Sequence, residues 1–218
     1  MEFNRVFGGG LRVQAAYTYS KAITDADDFG ALPQNPFNLR AERSLAGYDR
    51  THVAVFNYVY ELPFFRAGAN IFERLLGGWE LSGITEFQSG RPFNIGLTGS
   101  TIGLANRPDV VAGQKLQGPK TIAQWFNTAA FTTPAPGRYG NAGRNLVRGP
   151  GMQKWDIGLL KNFYISDRLN LQFRAESYNA FNHANFDAVS GTFGAGNFGQ
   201  VTSARDPRTM QFGLKLDF

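Results

Sequence analysis

The sequence predicts an all-β fold, an antiparallel transmembrane β-barrel segment of about six or seven strands joined by long extracellular loops. Three observations lead there. Hydrophobicity alternates with period 2 in stretches of about ten residues, the connections between them are long and short by turns, and aromatic side chains gather at the stretch ends. Helical periodicity is nearly absent. No run of about 18 apolar residues occurs, which excludes a transmembrane helix but not a barrel, whose alternating strands average to ordinary hydropathy.

The strands follow in order. Residues 2–6 read as the end of an early strand, and 11–21 set Leu11, Val13, Ala15, Tyr17 and Tyr19 against Arg12, Gln14, Ala16, Thr18 and Ser20. Residues 52–62 place Ala54, Phe56, Tyr58, Tyr60 and Leu62 opposite Val53, Val55 and Val59, and 79–89 form the next strand. In 152–165 the apolar side carries Trp155, Ile157 and Leu159, and Leu159-Leu160-Lys161 suggests a bulge. Residues 169–179 alternate Leu171, Phe173 and Ala175 with Asn170, Gln172, Arg174 and Glu176. The pattern is cleanest in 209–218, where Met210, Phe212, Leu214, Leu216 and Phe218 form one wholly apolar face.

Long loops at 22–51, 90–151 and 180–208 then fall on one side of the sheet, with the connections 63–78 and 166–168 on the other. That is the asymmetry of outer-membrane barrels, with the long loops outside. A short helix is expected at 121–126. In this orientation Tyr17, Tyr19 and Trp155 lie in an outer aromatic girdle, and Tyr60, Trp79, Phe163 and Phe218 in an inner one. Arg12, Glu61, Glu80, Glu86, Arg174 and Glu176 project to the opposite face, where they are expected to line a lumen as charge pairs across strands. The middle loop holds Arg91, Arg107, Lys115, Lys120, Arg138, Arg144 and Arg148 against a single Asp109, so it reads either as a basic rim or as an unspecialised solvated loop.

Composition agrees with a half-buried sheet. Charged residues are 18%, below the roughly 25% of soluble domains, aromatics are 14%, and 26 glycines serve strand faces and loops. A net charge of +5 is too diffuse to argue nucleic acid, and the absence of Cys removes disulfides, thiolate metal sites and cysteine nucleophiles. Residues 1–10 contain no apolar signal-peptide core, so an exported chain is expected to have its start elsewhere. Gly194, Gly196 and Gly199 match a nucleotide-loop spacing, and Asp28-Phe29-Gly30 matches a kinase triplet. Both stand in the wrong order, with no helix to receive a phosphate, and read as accidents of a glycine-rich chain. Asp25, Asp27 and Asp28 do not fit a calcium loop and read as a solvated acidic stretch. His52 and His183, in separate loops, have no second ligand at zinc spacing and no serine nucleophile beside them, so neither an enzyme nor a cofactor is expected.

The phrases joining the strands resemble the C-terminal barrel of TonB-dependent outer-membrane receptors, especially the Oar-like group. The resemblance begins with Tyr17-Thr18-Tyr19-Ser20-Lys21, Asp49-Arg50-Thr51-His52, Glu61-Leu62-Pro63, Gly77-Gly78-Trp79-Glu80-Leu81-Ser82-Gly83 and Ser89-Gly90-Arg91-Pro92-Phe93. It continues through Arg107-Pro108-Asp109, Trp125-Phe126-Asn127, Arg148-Gly149-Pro150, Trp155-Asp156, Arg174-Ala175-Glu176 and Asn179-Ala180-Phe181-Asn182-His183 to the terminal Phe218.

The resemblance implies a barrel of roughly 22 strands filled by an N-terminal plug that is energised through the TonB system. The chain is then expected to be the last quarter or third of such a barrel, residues 1–218 lacking the plug, in the outer membrane of a Gram-negative-type cell. Its implied partners are outer-membrane lipid, the remaining strands and plug of the parent receptor, TonB through that plug, the outer-membrane assembly machinery and an unknown large solute. Met210, Phe212, Leu214, Leu216 and Phe218 resemble the signal read by that machinery. The rival reading is a secreted or surface β-sandwich that binds carbohydrate, with Trp125, Tyr139 or Trp155 as stacking platforms.

Overall fold

The computed structural model describes residues 1–27, 31–63, 77–99, 102, 105–166 and 169–218. The Asp28-Phe29-Gly30 triplet and most of the two short-side connections lie outside them. One sheet of seven strands dominates: β1 (Glu2–Val6), β2 (Leu11–Tyr19), β3 (His52–Glu61), β4 (Trp79–Gln88), β5 (Met152–Ser166), β6 (Leu169–Tyr178) and β7 (Thr209–Asp217). They lie side by side in chain order, every neighbouring pair antiparallel, and the sheet is open at β1 and β7. His52 therefore begins a strand rather than sitting in a loop.

The register lines up the period-2 pattern across the whole sheet. One row runs Phe3, Ala15, Phe56, Thr85 and Trp155, and another runs Tyr60, Leu81, Leu159, Ala175 and Phe212. A one-residue slip anywhere would move a strand's apolar set to the other side, so the common pattern fixes the register. Gly83 shows how tightly: it lies directly opposite Tyr58, and a Cβ there would meet the Tyr58 ring at 2.4–2.7 Å, so the aromatic covers the glycine.

Two expectations fail locally. The register runs unbroken through Leu159, Leu160 and Lys161 toward both neighbours, and the irregularity falls instead between Tyr164 and Ser166. Lys161 lies in the apolar row between Trp79 and Phe173, yet it is buried, its ammonium donating to the Gly77 carbonyl and lying 5.1 Å from the centre of the Phe163 ring. A charge satisfied within the sheet needs no bulge to turn it away. Residues 121–126 form a bend, with the Thr121 hydroxyl accepting from Gln124 N, and the nearby helical turn is Thr128–Ala130, capped by Asn127 Oδ1.

Among the described residues the buried hydrophobic cluster lies in the loops rather than against the sheet. Residues 89–151 and 179–208 fold over one another around Ile95, Phe126, Ala130, Phe131 and Val147. Phe126 meets Phe93, Phe131 and Phe198 at centroid distances of 6.0, 5.8 and 5.1 Å, the last two edge-on, as the quadrupoles of aromatic rings prefer. Thr192–Phe193 pairs in parallel with Gly96–Leu97 and ties the two loops together. The glycine segment matching a nucleotide loop serves this packing. Gly199 accepts from Trp125 N, and a Cβ there would meet Thr128 Cγ2 at 2.5 Å.

Phe126→Ala is expected to cost about 3–5 kcal/mol in this cap. Hydrogen exchange checks it: amides in 89–151 and 179–208 lose protection while those of β2 to β6 keep theirs.

Candidate functional site

The alternation gives the sheet two chemically different sides. On the first lie Leu11, Val13, Phe56, Tyr60, Leu81, Phe87, Ile157, Leu159, Phe173, Phe212 and Leu214; on the second lie Arg12, Gln14, Asn57, Glu61, Glu80, Ser82, Glu86, Lys154, Asp156, Arg174, Glu176 and Gln211. The second side is concave. It encloses a hollow of about 500 Å³ lined from β1 through β6, including Arg12, Asn57, Ser82, Asp156, Glu176 and Tyr178.

The five polar residues singled out in the sequence, Arg12, Glu80, Glu86, Arg174 and Glu176, all stand on this concave side. The one ion pair seen among these five runs along a strand rather than across strands. Arg174 meets Glu176 at 3.4 Å, and likewise Lys154 meets Asp156 and Lys215 meets Asp217, each two residues along one strand. The charged side chains are long enough to reach along their own strand. Bonds across strands come from amides, with Gln14 donating to Glu2, Gln211 to Glu176 and Gln172 to Asn162.

On the apolar side, Tyr17, Tyr19 and Trp155 lie toward the long-loop end, and Tyr60 and Trp79 toward the other. Tyr17 shares a 2.8 Å hydrogen bond with His52 Nδ1, and Trp155 packs edge-on between Phe87 and Phe181. Met210, Phe212, Leu214 and Leu216 are all more than half exposed on the edge strand, with Phe218 beyond it. The sheet is one layer thick, with no second sheet packed on either side among the described residues, which is not a sandwich. Trp125 is likewise no open platform: its indole donates to the Arg148 carbonyl and its ring packs edge-on against Phe186.

The loops are clamped by buried ion pairs that the local sequence does not announce. Arg107 grips Glu42 with two bonds of 2.7 and 3.0 Å, both side chains almost wholly buried, and donates its Nε to the Ala142 carbonyl. Gln34 N donates to the same carboxylate, and Arg144 Nε to the Glu42 carbonyl. Asp27 accepts from Arg144, Asn145 and Gly47 N and so has a structural role, while Asp25 is exposed and Asp28 lies outside the described residues. Asp49 accepts from Ala22 N, Thr51 and Arg148. Arg107, Arg144 and Arg148 are thus spent holding the first loop to the second, which takes these three out of the expected basic rim, while Arg91, Lys115, Lys120 and Arg138 stay exposed. The Asp49-Arg50-Thr51 and Arg148-Gly149-Pro150 phrases stand out in the sequence, but their meeting across 99 positions does not.

Burial alone would raise the Glu42 carboxyl, but the Arg107 and Gln34 hydrogen bonds and the charges of Arg107 and Arg144 outweigh it and hold it below its ordinary value. Asp49 behaves the same way: burial works upward and is overcome by Ala22 N, Arg148 and Thr51. The described residues contain no group of three or more acidic or histidine side chains able to hold a metal ion.

Among known proteins, a family model described as an outer membrane beta barrel domain matches residues 1–211. No curated protein and no solved structure matches the chain.

Glu42→Gln leaves the Arg107 guanidinium buried beside a neutral amide and is expected to destabilise the cap by about 3–5 kcal/mol, read as faster proteolysis within 20–51 and 89–151. The wild-type dependence on pH follows from the depressed carboxyls. Their contribution is whole above the ordinary values of 4.5 for Glu42 and 3.8 for Asp49, and is lost as pH falls through the lower folded values. Cap unfolding midpoints measured across that range should drop below about pH 4.5 in the wild type and drop less in Glu42→Gln, where the Asp49 contribution alone remains.

Proposed function

The chain belongs to the outer membrane β-barrel domain family, and from that premise we propose that it forms part of the wall of a TonB-dependent receptor that takes up or binds a large solute, without catalysis. The observation that carries the reading is the single-layer sheet whose convex side is apolar and whose concave side is polar. The apolar side faces lipid, the concave side faces a water-filled lumen, and the clamped loops stand outside the cell. Strands β2, β3, β4, β6 and β7 have 9 or 10 residues, the length a tilted strand needs to cross the hydrocarbon. Tyr17, Tyr19 and Trp155 then mark the outer lipid interface, and Tyr60 and Trp79 the inner one.

Strand parity supports a partner of a particular kind. Seven antiparallel strands leave β1 and β7 running the same way, so neither can pair with the other antiparallel. Bacterial barrels close with an even number of strands, so the rest of the wall must bring an odd number, about 15 for a barrel of roughly 22. Unpaired edges in hydrocarbon are too costly to persist, and the parent's remaining strands satisfy them. A plug held in that lumen is the element through which TonB acts. Met210, Phe212, Leu214, Leu216 and Phe218 offer the assembly machinery an amphipathic edge strand to which a strand can be added.

Expressed in a Gram-negative host with an export signal and the parent's upstream strands, the chain is expected in the outer-membrane fraction and to resist alkaline extraction. Recovery as a soluble monomer without detergent overturns the wall reading. Deleting Phe218 from the same product is expected to lower its insertion several-fold, and unchanged insertion removes the assembly signal while leaving the wall intact.

A further inference from the structure

Three arginines from three loops meet where the cap joins the concave side of the sheet. Arg50 closes the first loop, Arg91 opens the second and Arg205 comes from the third; together with Gln88, Met152 and Asp187 they line a narrow, partly open space of about 10 Å³. That is the room one water-sized sphere requires. Arg50 donates its Nε to Gln88 Oε1 at 3.3 Å, while its Nη1 is buried with no hydrogen-bond partner among the described residues. The carboxylate lining the space is Asp187, which meets Arg205 at 3.3 Å. Asp49, next in sequence to Arg50, is bound to Arg148 instead.

A buried, unpartnered guanidinium nitrogen on a residue that lines one space with two further arginines is costly unless negative charge sits among them. Burial and the charges of Arg91 and Arg205 all disfavour the protonated form of Arg50 and are only partly offset by Asp187 and Asp49. A second hollow of about 370 Å³ opens beside the first and shares Gln88, Met152 and Arg205 with it. An anion seated among the arginines could therefore be a free ion or the end of a larger molecule lying in the adjoining space.

We propose that Arg50, Arg91 and Arg205 form a site for one small anionic group, a halide-sized ion or one oxygen of a carboxylate or phosphate. The site sits above the membrane-spanning strands and does not depend on how the barrel closes, so its failure and the failure of the wall reading are separate results.

The test uses the same exported product, the chain together with the parent's upstream strands, purified in detergent, with chloride as the probe and its binding read from chloride NMR line broadening at constant ionic strength. The wild type is expected to broaden the line saturably. Arg50→Gln and Arg205→Gln are each expected to weaken binding roughly tenfold or more, because each removes a charge-assisted bond. Arg208→Gln, outside the site, should bind as the wild type does, and far-UV circular dichroism checks that every variant retains its sheet. Succinate and inorganic phosphate are then added as competitors. Displacement of chloride by succinate or phosphate assigns the site to the anionic end of a solute, and no displacement assigns it to a free halide. Broadening that is absent, unsaturable or unchanged in both arginine variants overturns the proposal.

Discussion

A single-layer sheet with one apolar side has nothing of its own to bury that side against, and the rest of the architecture follows from this. In a soluble domain the side chains of Phe56, Leu81, Phe173, Phe212 and Leu214 would meet a second layer; here Phe212 and Leu214 are open on the edge strand β7 and Phe56 is exposed on β3. A sheet of this kind is stable where lipid supplies the second layer, and there every strand must also be paired on both edges. The polar side obeys the complementary rule. It curls inward, and its charges and amides bond to one another around water-accessible space.

Freed from packing against the sheet, the apolar residues that are buried most deeply belong to the cap. Phe126 and its neighbours do for the loops what a hydrophobic core does for a domain, and the Glu42, Asp27 and Asp49 clusters fasten the first loop to that core. A buried pair is a poor source of net stability but a strict specifier of geometry, since any other arrangement strands a charge. The cap is thereby held in one shape at the end of the sheet, with the arginines of three loops brought together at its root.

Much of the sheet is legible in the sequence because its information is local. Alternation of Leu171, Phe173 and Ala175 with Gln172, Arg174 and Glu176 is visible within one strand, and the register merely repeats it sideways. The cap is illegible for the opposite reason. Arg107 lies 65 positions from Glu42 and Arg144 lies 120 from Thr24, so a run of basic residues reads as an open rim until its partners are seen. Lys161 misleads in the same way: a cation in an apolar row suggests a bulge, whereas a backbone carbonyl from the preceding hairpin accepts its proton in place. The pairing of charges along strands rather than across them depends on side-chain conformation, which periodicity does not encode.

The central claim is that the two sides of the sheet face lipid and water. Because the chain has no cysteine, a single introduced one can carry a spin label at successive positions of β6, from Leu171 to Glu176, in the assembled barrel in bilayers. Labels at 171, 173 and 175 should collide with oxygen dissolved in the lipid, and labels at 172, 174 and 176 with a water-soluble nickel complex, reversing at every step. Equal access of the nickel complex to both sets would contradict the account.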